Sequence, residues 1–438
     1  MANLRHDGLQ PVSRWFDADY WRALNPGCSV ESPPCSSGHE ALLRPAVVAE
    51  FKARMDRDGY FELPAALISA TASGKGYGAL IRRLAVAVRT LVAHGWPASF
   101  VVVYDEAWEL VTLLSGVMRG TTGGNACMMD LVAWHVDPSA AEAGFTPHRD
   151  RHLGLREQDT DAVQAGFREP GGCAPRDSTV WIALSDATPD NGCLYFLPRS
   201  ADPAYALGDC SDAVRGGGGP NAPPRPGTFE LIRGPLGTGV YSPSTDSAWQ
   251  HVRAVPCTPG SAVVFSHRVV HWGSRGRPGS GHGPRISISF AGSDHGFKVA
   301  EPYFDPVLLP RPPVRLRVAL AAAQMLCYGG NGRFGLSIAA VAEYRLAYRA
   351  ERTRFYRQYR ATVRQAHGAA KLLAVAAATS TAGCVDSVSS AQKRKRDVSS
   401  GERHPAAKHL KAEEKKKKKK KKKSGKEEKK ECNTSNRS

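Results

Sequence analysis

Apolar residues recur at three- and four-residue spacing near the start of the chain and at alternate positions further on. The pattern therefore predicts helices first and strands after them. Val48, Phe51 and Met55 share one helical face, and Asp58-Gly59 is a helix stop followed by Tyr60-Phe61-Glu62-Leu63. A second helix is predicted over 77–94, with Leu80, Leu84, Val86, Leu91 and Val92 as its apolar side and Gly95-Trp96-Pro97 as its breaker. Residues 99–104 read as a buried strand, and Asp105 as the cap of a third helix running to Met118. Strands are then predicted over 126–135, 178–184 and 192–197, the last two joined by a turn at Asp190-Asn191-Gly192. Two more follow over 261–270 and 285–290. In the latter Arg285, Ser287 and Ser289 alternate with Ile286, Ile288 and Phe290. Helical spacing returns over 315–328 and 336–364. Helices, then strands, then helices predict an α+β chain with a mainly β core, a barrel or sandwich covered by helices from both ends.

Composition adds the organisation. A length of 438 residues allows one large domain or two ordinary ones, and 42% hydrophobic content excludes disorder of the whole chain. Residues 1–45, rich in Pro, Ser and Gly, read as an extended arm. Residues 46–300 read as a helical cover plus the β core, 301–375 as packing helices, and 376–438 as a disordered basic tail. A Pro- and Gly-rich insertion at 198–233 reads as a mobile surface loop or lid. The formal charge of +18 is concentrated at the end: from Ala391 to Ser438 there are 20 Lys/Arg against 7 Asp/Glu, so the rest of the chain carries only +5. The high isoelectric point thus says little about the folded part's substrate. Lys393-Arg394-Lys395-Arg396 reads either as a nuclear-import cluster or as a solvated charge run. The nine lysines from Lys415 to Lys423 would bind nucleic acid without sequence preference, and the lack of interleaved aromatics argues against base stacking. Ten cysteines without a C-x-x-C pair, no apolar leader and no long apolar run predict reduced thiols in an intracellular protein, not secreted and with no membrane span.

Three features carry chemistry. In the extended segment Pro147-His148-Arg149-Asp150, His148 and Asp150 sit two apart and point to one side. His271 ends the strand that begins near Ser261, and Arg285 opens the strand after it. Two histidines and one carboxylate on one face of an iron ion leave positions open for a 2-oxo acid and dioxygen. The far carboxylate of 2-oxoglutarate then needs a buried cation, which an arginine fork supplies, and Ser287 on the same strand face can donate a further hydrogen bond. His267, four before His271, would share its face in a continuous strand and competes as a ligand; the strand-end position before Trp272-Gly273-Ser274 favours His271. His135 and His251 have no partner pattern. Trp181 and Tyr195 are candidates for the core or the substrate pocket wall. No catalytic side chain is assigned beyond the metal centre. The His148-Arg149-Asp150 letters match a protein-kinase catalytic loop, but no Asn stands five residues past Asp150, and D-F-G and a Gly-rich loop near the start are missing.

These blocks resemble the phytanoyl-CoA dioxygenase-like family. Gly144-Phe145-Thr146-Pro147-His148-Arg149-Asp150 is similar to its metal-binding H-x-D block. The run from Trp181 through Asp186, Asn191 and Gly192 to Tyr195 is similar to its long W-I-A-L core. Gly260 to Phe265, His271 to Ser274 and Pro284 to Phe290 are similar to the block with the distal histidine and the oxoglutarate arginine. The resemblance implies a double-stranded β-helix (jelly roll) flanked by N- and C-terminal helices. It also implies iron ligands His148, Asp150 and His271, and Arg285 as the co-substrate anchor. Related halogenases carry a small residue where Asp150 stands, so the carboxylate implies hydroxylation. Pro198-Arg199-Ser200-Ala201 departs from the family's Gly-Ser-His at a place where substrate would be covered. The expected activity is hydroxylation of a C–H bond with iron(II), 2-oxoglutarate and dioxygen, releasing succinate and CO2. An acyl thioester, a small natural product, an amino acid and a protein side chain all fit as substrate. The competing readings are an inactive jelly-roll scaffold docked to nucleic acid by its tail, and a cupin-like enzyme with another metal, which would not need Arg285.

Overall fold

Local end signals set the first helices. Asp17 is the N-cap of α2 (Ala18–Leu24), its carboxylate accepting the Asp19 amide at 2.9 Å, just after the short α1 (Val12–Trp15). Pro45 opens α3 (Pro45–Asp58), where its missing N–H costs nothing, and Gly59, in the left-handed region at φ 79°, ends it. The structure, a computed structural model, describes residues 12–32, 41–122, 126–128, 131–140, 142, 144–145, 147–150, 175, 177–202, 205, 250–293, 303–304, 311–329, 342–345 and 347. All of these lie in the first of two units, Met1–Ala369. The predicted tail, the helix over 336–364 apart from a few residues, and the insertion beyond Tyr205 lie outside the described residues.

The N-terminal arm is not extended where it is described. Trp15 and Trp21 are fully buried and form an aromatic cluster of edge-on, tilted and stacked pairs with Trp96 and Phe100, at centroid distances of 4.6–6.1 Å. Pairs of this kind contribute about 0.5–1.5 kcal/mol each beyond the area they bury, enough to fold a Pro-rich segment onto the helices. Residues 98–103 also differ from expectation. They form a buried 3₁₀ helix (Ala98–Val103) rather than a strand, with Phe100 N–H donating to the Pro97 carbonyl and Tyr104 N–H to that of Val101. A short apolar run has no period with which to distinguish the two.

The other helices of this layer are α4 (Ala65–Ser69), α5 (Tyr77–Ala93) and α6 (Asp105–Thr122), joined late in the chain by α7 (Val314–Gly329). Leu80, Leu84, Val88 and Leu91 face the core from α5, whereas Val86 is turned out to solvent.

Among the described residues the β layer consists of two antiparallel sheets. The larger joins β1 (Tyr60–Leu63), β2 (Ala126–Met128), β3 (Val132–Val136), β4 (Asp177–Ala183), β7 (Ala262–Ser266), β9 (Arg285–Ser293) and β10 (Tyr303–Phe304), in the order β1-β7-β4-β9-β2-β10 with β3 also on β9. The smaller has the order β6-β5-β8, from β6 (Arg253–Val255), β5 (Leu194–Leu197) and β8 (Val270–Gly273). Period two sorts the large sheet's side chains. Phe61, Leu63, Val180, Ile182, Val264, Ile286, Ile288 and Phe290 pack on the helices. Tyr60, Trp181, Ala183, Val263 and Phe265 turn the other way and pack with Leu194 and Phe196 of the small sheet.

Two predicted strands prove to be broken. The run 261–270 divides at residues 267–269 into β7 and β8, which belong to different sheets, and 126–135 divides into β2 and β3. The Asp190-Asn191-Gly192 turn is present, with Gly192 at φ 94°, but it is not a hairpin. It carries the chain from β4 in one sheet to β5 in the other. Buried Asn191 holds it, accepting the Thr188 amide at 2.7 Å and donating to the carbonyls of Asp186 at 2.8 Å and Gly283 at 3.2 Å.

Candidate metal centre

His148 and His271 are brought together by backbone. Each donates its N–H to the other's carbonyl at 3.0 Å, an isolated antiparallel bridge at the mouth between the sheets. Their rings lie 4.4 Å apart. Extended geometry puts Asp150 on the same side as His148. Asp150 Oδ1 lies 3.4 Å from His148 Nε2 and 3.5 Å from His271 Nε2, and one ligand atom from each residue falls within 4.8 Å of the others. His271 is buried; His148 and Asp150 keep about a quarter of their side chains exposed, so the cluster opens on one side.

The neighbours prepare these donors. His271 Nδ1 is 3.2 Å from the Val269 carbonyl. A carbonyl only accepts, so the proton sits on Nδ1 and the Nε2 lone pair is free for a cation. Burial pushes the His271 imidazolium down to about 4, against the pull of Asp150, so the ring is neutral near pH 7. Burial works against ionisation of Asp150, yet His271 and His148 outweigh it and hold the carboxyl below its usual range. Asp150 Oδ2 accepts a hydrogen bond from Thr179 Oγ1 at 2.8 Å, which leaves Oδ1 to the histidines.

His267 sits buried in the turn between β7 and β8, near enough to act on the charge of Asp150. It is not one of the converging residues. The break in the strand removed the shared face that made it a competitor.

Arg285 opens β9, on the large sheet, and faces the small sheet that carries His271; the two are not on neighbouring strands, as the sequence suggested, but across the gap. Its guanidinium is 3% exposed, donates from Nη1 to Ser287 Oγ at 3.0 Å and lies 5.6 Å from the Trp181 ring centroid. Burial lowers it to about 10, which still leaves it charged at neutral pH. Among the described residues its Nε has no hydrogen-bond partner and no carboxylate pairs with it. A buried cation so placed calls for an anionic ligand. Gly273 beside it leaves room, since a Cβ there would stand 3.4 Å from Nη2. The donor set of neutral imidazoles and carboxylate fits iron(II), and the unmatched guanidinium fits a dicarboxylate.

Trp181 therefore lies on the face that looks into the gap. Tyr195 stacks on Trp272 at 5.6 Å and alternates with Phe196 along β5, and it also packs against the edge of the inner cluster that contains Trp181. The sequence reading missed Thr179, Trp134 and Phe145. Trp134 pairs with Ser287 across β3 and β9, Phe145 packs edge-on against it at 4.6 Å, and Phe145 is 5.3 Å from His148. The alternation of β3 and β4 placed Thr179 and Trp134 on the inner face, but only their pairing partners show which face that is.

A helix-backed pair of antiparallel sheets with a His/Asp/His cluster facing a buried arginine defines a non-haem iron enzyme that uses 2-oxoglutarate. The chain belongs to the phytanoyl-CoA dioxygenase (PhyH) family, whose pattern matches residues 38–279. No protein of curated function matches it. Among solved structures it is similar to the non-haem α-ketoglutarate-dependent epimerase SnoN from nogalamycin biosynthesis, at 19% identity over 60% of this chain and 85% of that one, with a TM-score of 0.37. The carbocyclase SnoK from the same biosynthesis is 18% identical over 64% and 96%, with a TM-score of 0.37. EctD from S. alaskensis, solved with 2-oxoglutarate and 5-hydroxyectoine, is 17% identical over 63% and 88%, with a TM-score of 0.35. Nothing about the substrate follows from likeness at that level. No helix among the described residues is long and apolar enough to cross a membrane.

Proposed function

We propose that the chain hydroxylates a C–H bond of its substrate, with His148, Asp150 and His271 holding iron(II) and Arg285 holding the far carboxylate of 2-oxoglutarate. The two sheets are read as the halves of a double-stranded β-helix, with helices over one face. The observation that carries the proposal is the convergence of His148 Nε2, Asp150 Oδ1 and His271 Nε2 within 4.8 Å. When bound, iron(II) and 2-oxoglutarate supply the oxidation: one oxygen atom of dioxygen goes to succinate as CO2 leaves, and the other enters the substrate C–H bond. The residues supply the rest. His271, locked by Val269, and Asp150, locked by Thr179, present their lone pairs without reorganising. Arg285, roofed by Trp181 and steadied by Ser287, offers its remaining N–H groups to a carboxylate in a site largely closed to water.

The test is anaerobic. Iron(II) and 2-oxoglutarate are added to the apoprotein, and the visible charge-transfer band of the chelate is recorded for the wild type, His148→Ala and Arg285→Ala. The expected result is a band in the wild type, none in His148→Ala, and one in Arg285→Ala only at much higher 2-oxoglutarate. A folded wild type without the band would favour a scaffold that has the fold and not the chemistry. An unchanged oxoglutarate requirement in Arg285→Ala would sink the co-substrate assignment.

A further inference from the structure

Arg149, the residue between the two H-x-D donors, is aimed away from them. Alternation turns it to the opposite side of the segment, where it is 2% exposed. There it meets Asp202, 5% exposed, in a two-pronged ion pair: Nη2 to Oδ1 at 3.0 Å and Nη1 to Oδ2 at 2.5 Å. Nη1 also donates to the carbonyl of Arg268. Asp202 stands five residues past the end of β5, and Arg268 lies in the turn between β7 and β8. That turn also contains Val269, whose carbonyl sets the His271 tautomer. Arg268 in turn donates to the Tyr205 carbonyl at 3.5 Å, and the Tyr205 ring fills the space against Gly59, where a Cβ would lie 3.0 Å from it.

We infer that Arg149 and Asp202 are positioning residues for the metal centre, a buried fork that fixes the separation of the His148–Asp150 segment from His271. The inference rests on the reading of those three residues as metal ligands. The physical case is one of degrees of freedom. The reciprocal pair between His148 and His271 and the bonds from Gly273 N–H to the Phe145 carbonyl at 3.2 Å and from Gly144 N–H to the Ser274 carbonyl at 3.4 Å all lie along the one edge of the segment that faces β8, and attachment along one edge leaves it able to twist about that edge. Arg149 adds a second attachment from behind, to the turn that orients His271 and to the chain leaving β5, the neighbour of β8. A planar guanidinium bonded at both ends of a carboxylate resists rotation, which a single contact would not. Neither residue touches the reacting atoms. The pair acts through the angle at which Asp150 and His148 meet the cation.

The experiment measures iron(II) affinity of the full chain anaerobically, against a competing chelator, with oxoglutarate affinity then read from the chelate band at saturating iron. The variants are Arg149→Lys, Asp202→Asn and the double variant Arg149→Met/Asp202→Leu, which removes both buried charges together and so avoids stranding either. The expected result is iron binding on the order of 10- to 100-fold weaker in every folded variant, with no further loss in the double variant beyond the single ones, and oxoglutarate affinity within about twofold once iron is loaded. Arg149→Lys, which keeps the charge and loses the fork, should fall with the rest. A folded double variant that binds iron like the wild type would overturn the inference and leave the pair as fold support only. Equal losses of iron and oxoglutarate affinity would overturn it too, because general damage does that. Wild type that binds no iron at all would instead remove the ligand assignment beneath it, and that result is read before any substitution is made.

Discussion

Thr179 makes a single contact that matters, its hydroxyl on Asp150 Oδ2 at 2.8 Å. That contact decides which oxygen faces the histidines. Thr179→Val keeps the shape and the strand preference and removes the donor, so the carboxylate can rotate. The expected outcome is weaker iron binding, by roughly 10-fold, with little change in folding stability, since the lost bond is worth about 1 kcal/mol. Titration of the apoprotein with iron(II) beside a denaturation curve checks both halves. An unchanged affinity would mean that His148 and His271 alone orient Asp150. At this scale the three converging residues were legible, because the H-x-D pair, a distant histidine at a strand end and an arginine fourteen residues beyond it together suit one chemistry, which none of them does alone. Their supports were not. Thr179, Arg149 and Asp202 carry no local signal, since what makes each of them matter is a partner 29, 53 or 119 residues away.

Elements matter here through how closely they approach. Gly144, just before the H-x-D segment, and Gly273, at the end of β8, lie backbone to backbone. A Cβ on Gly144 would stand 2.7 Å from Gly273 Cα and 3.0 Å from its carbonyl oxygen, contacts that only backbone movement can relieve. Gly144→Ala should therefore push the His148 segment off β8, and the loss should fall on metal binding more than on the helical layer. Iron affinity is expected to drop by an order of magnitude or more, while helical circular dichroism and most of the thermal transition persist. A variant that binds iron normally would show that the approach is not needed. The strands that were read correctly, such as β9 with its alternating Arg285, Ser287 and Ser289, have one buried polar face and one buried apolar face, so period two is plain in the letters. The run 261–270 misled because both of its halves are apolar and the break lies at His267-Arg268-Val269, without glycine or proline to mark it. The sheet change at that break is what places His271 opposite Arg285.

At the scale of the whole folded unit, one network centred on the buried Asp105 and Arg317 joins the region near the N-terminus to α6 and α7. Asp105 accepts the amides of Glu31 at 3.2 Å and Ser32 at 2.9 Å and pairs with Arg317 Nη1 at 2.7 Å. Glu31, held at φ 54° in a region costly for a residue with a side chain, accepts the Val314 amide at 2.7 Å. Arg317 also donates to the carbonyls of Pro312 and Val103. The sequence predicts Asp105 as a helix cap; the helix is there, but Asp105 is its first residue and its carboxylate accepts the amides of Glu31 and Ser32 instead. A cap and a long-range tie look alike in one dimension. Asp105→Asn leaves the Arg317 guanidinium buried without its counter-charge, a change that costs about 3–5 kcal/mol. It should lower the urea midpoint of unfolding accordingly. The pH dependence has a definite sign. Burial opposes ionisation of Asp105, but Arg317 and the Ser32 amide outweigh it, so the carboxyl titrates below its ordinary value in the folded chain. Its contribution is complete above the unfolded value of about 3.9 and is lost as the pH falls through the lower folded one. The stability gap between wild type and Asp105→Asn should thus stay level from pH 8 to 5 and close only below about pH 4. A gap that closes near neutrality, or one that never closes in acid, would show that another group governs the tie between the two ends of this unit.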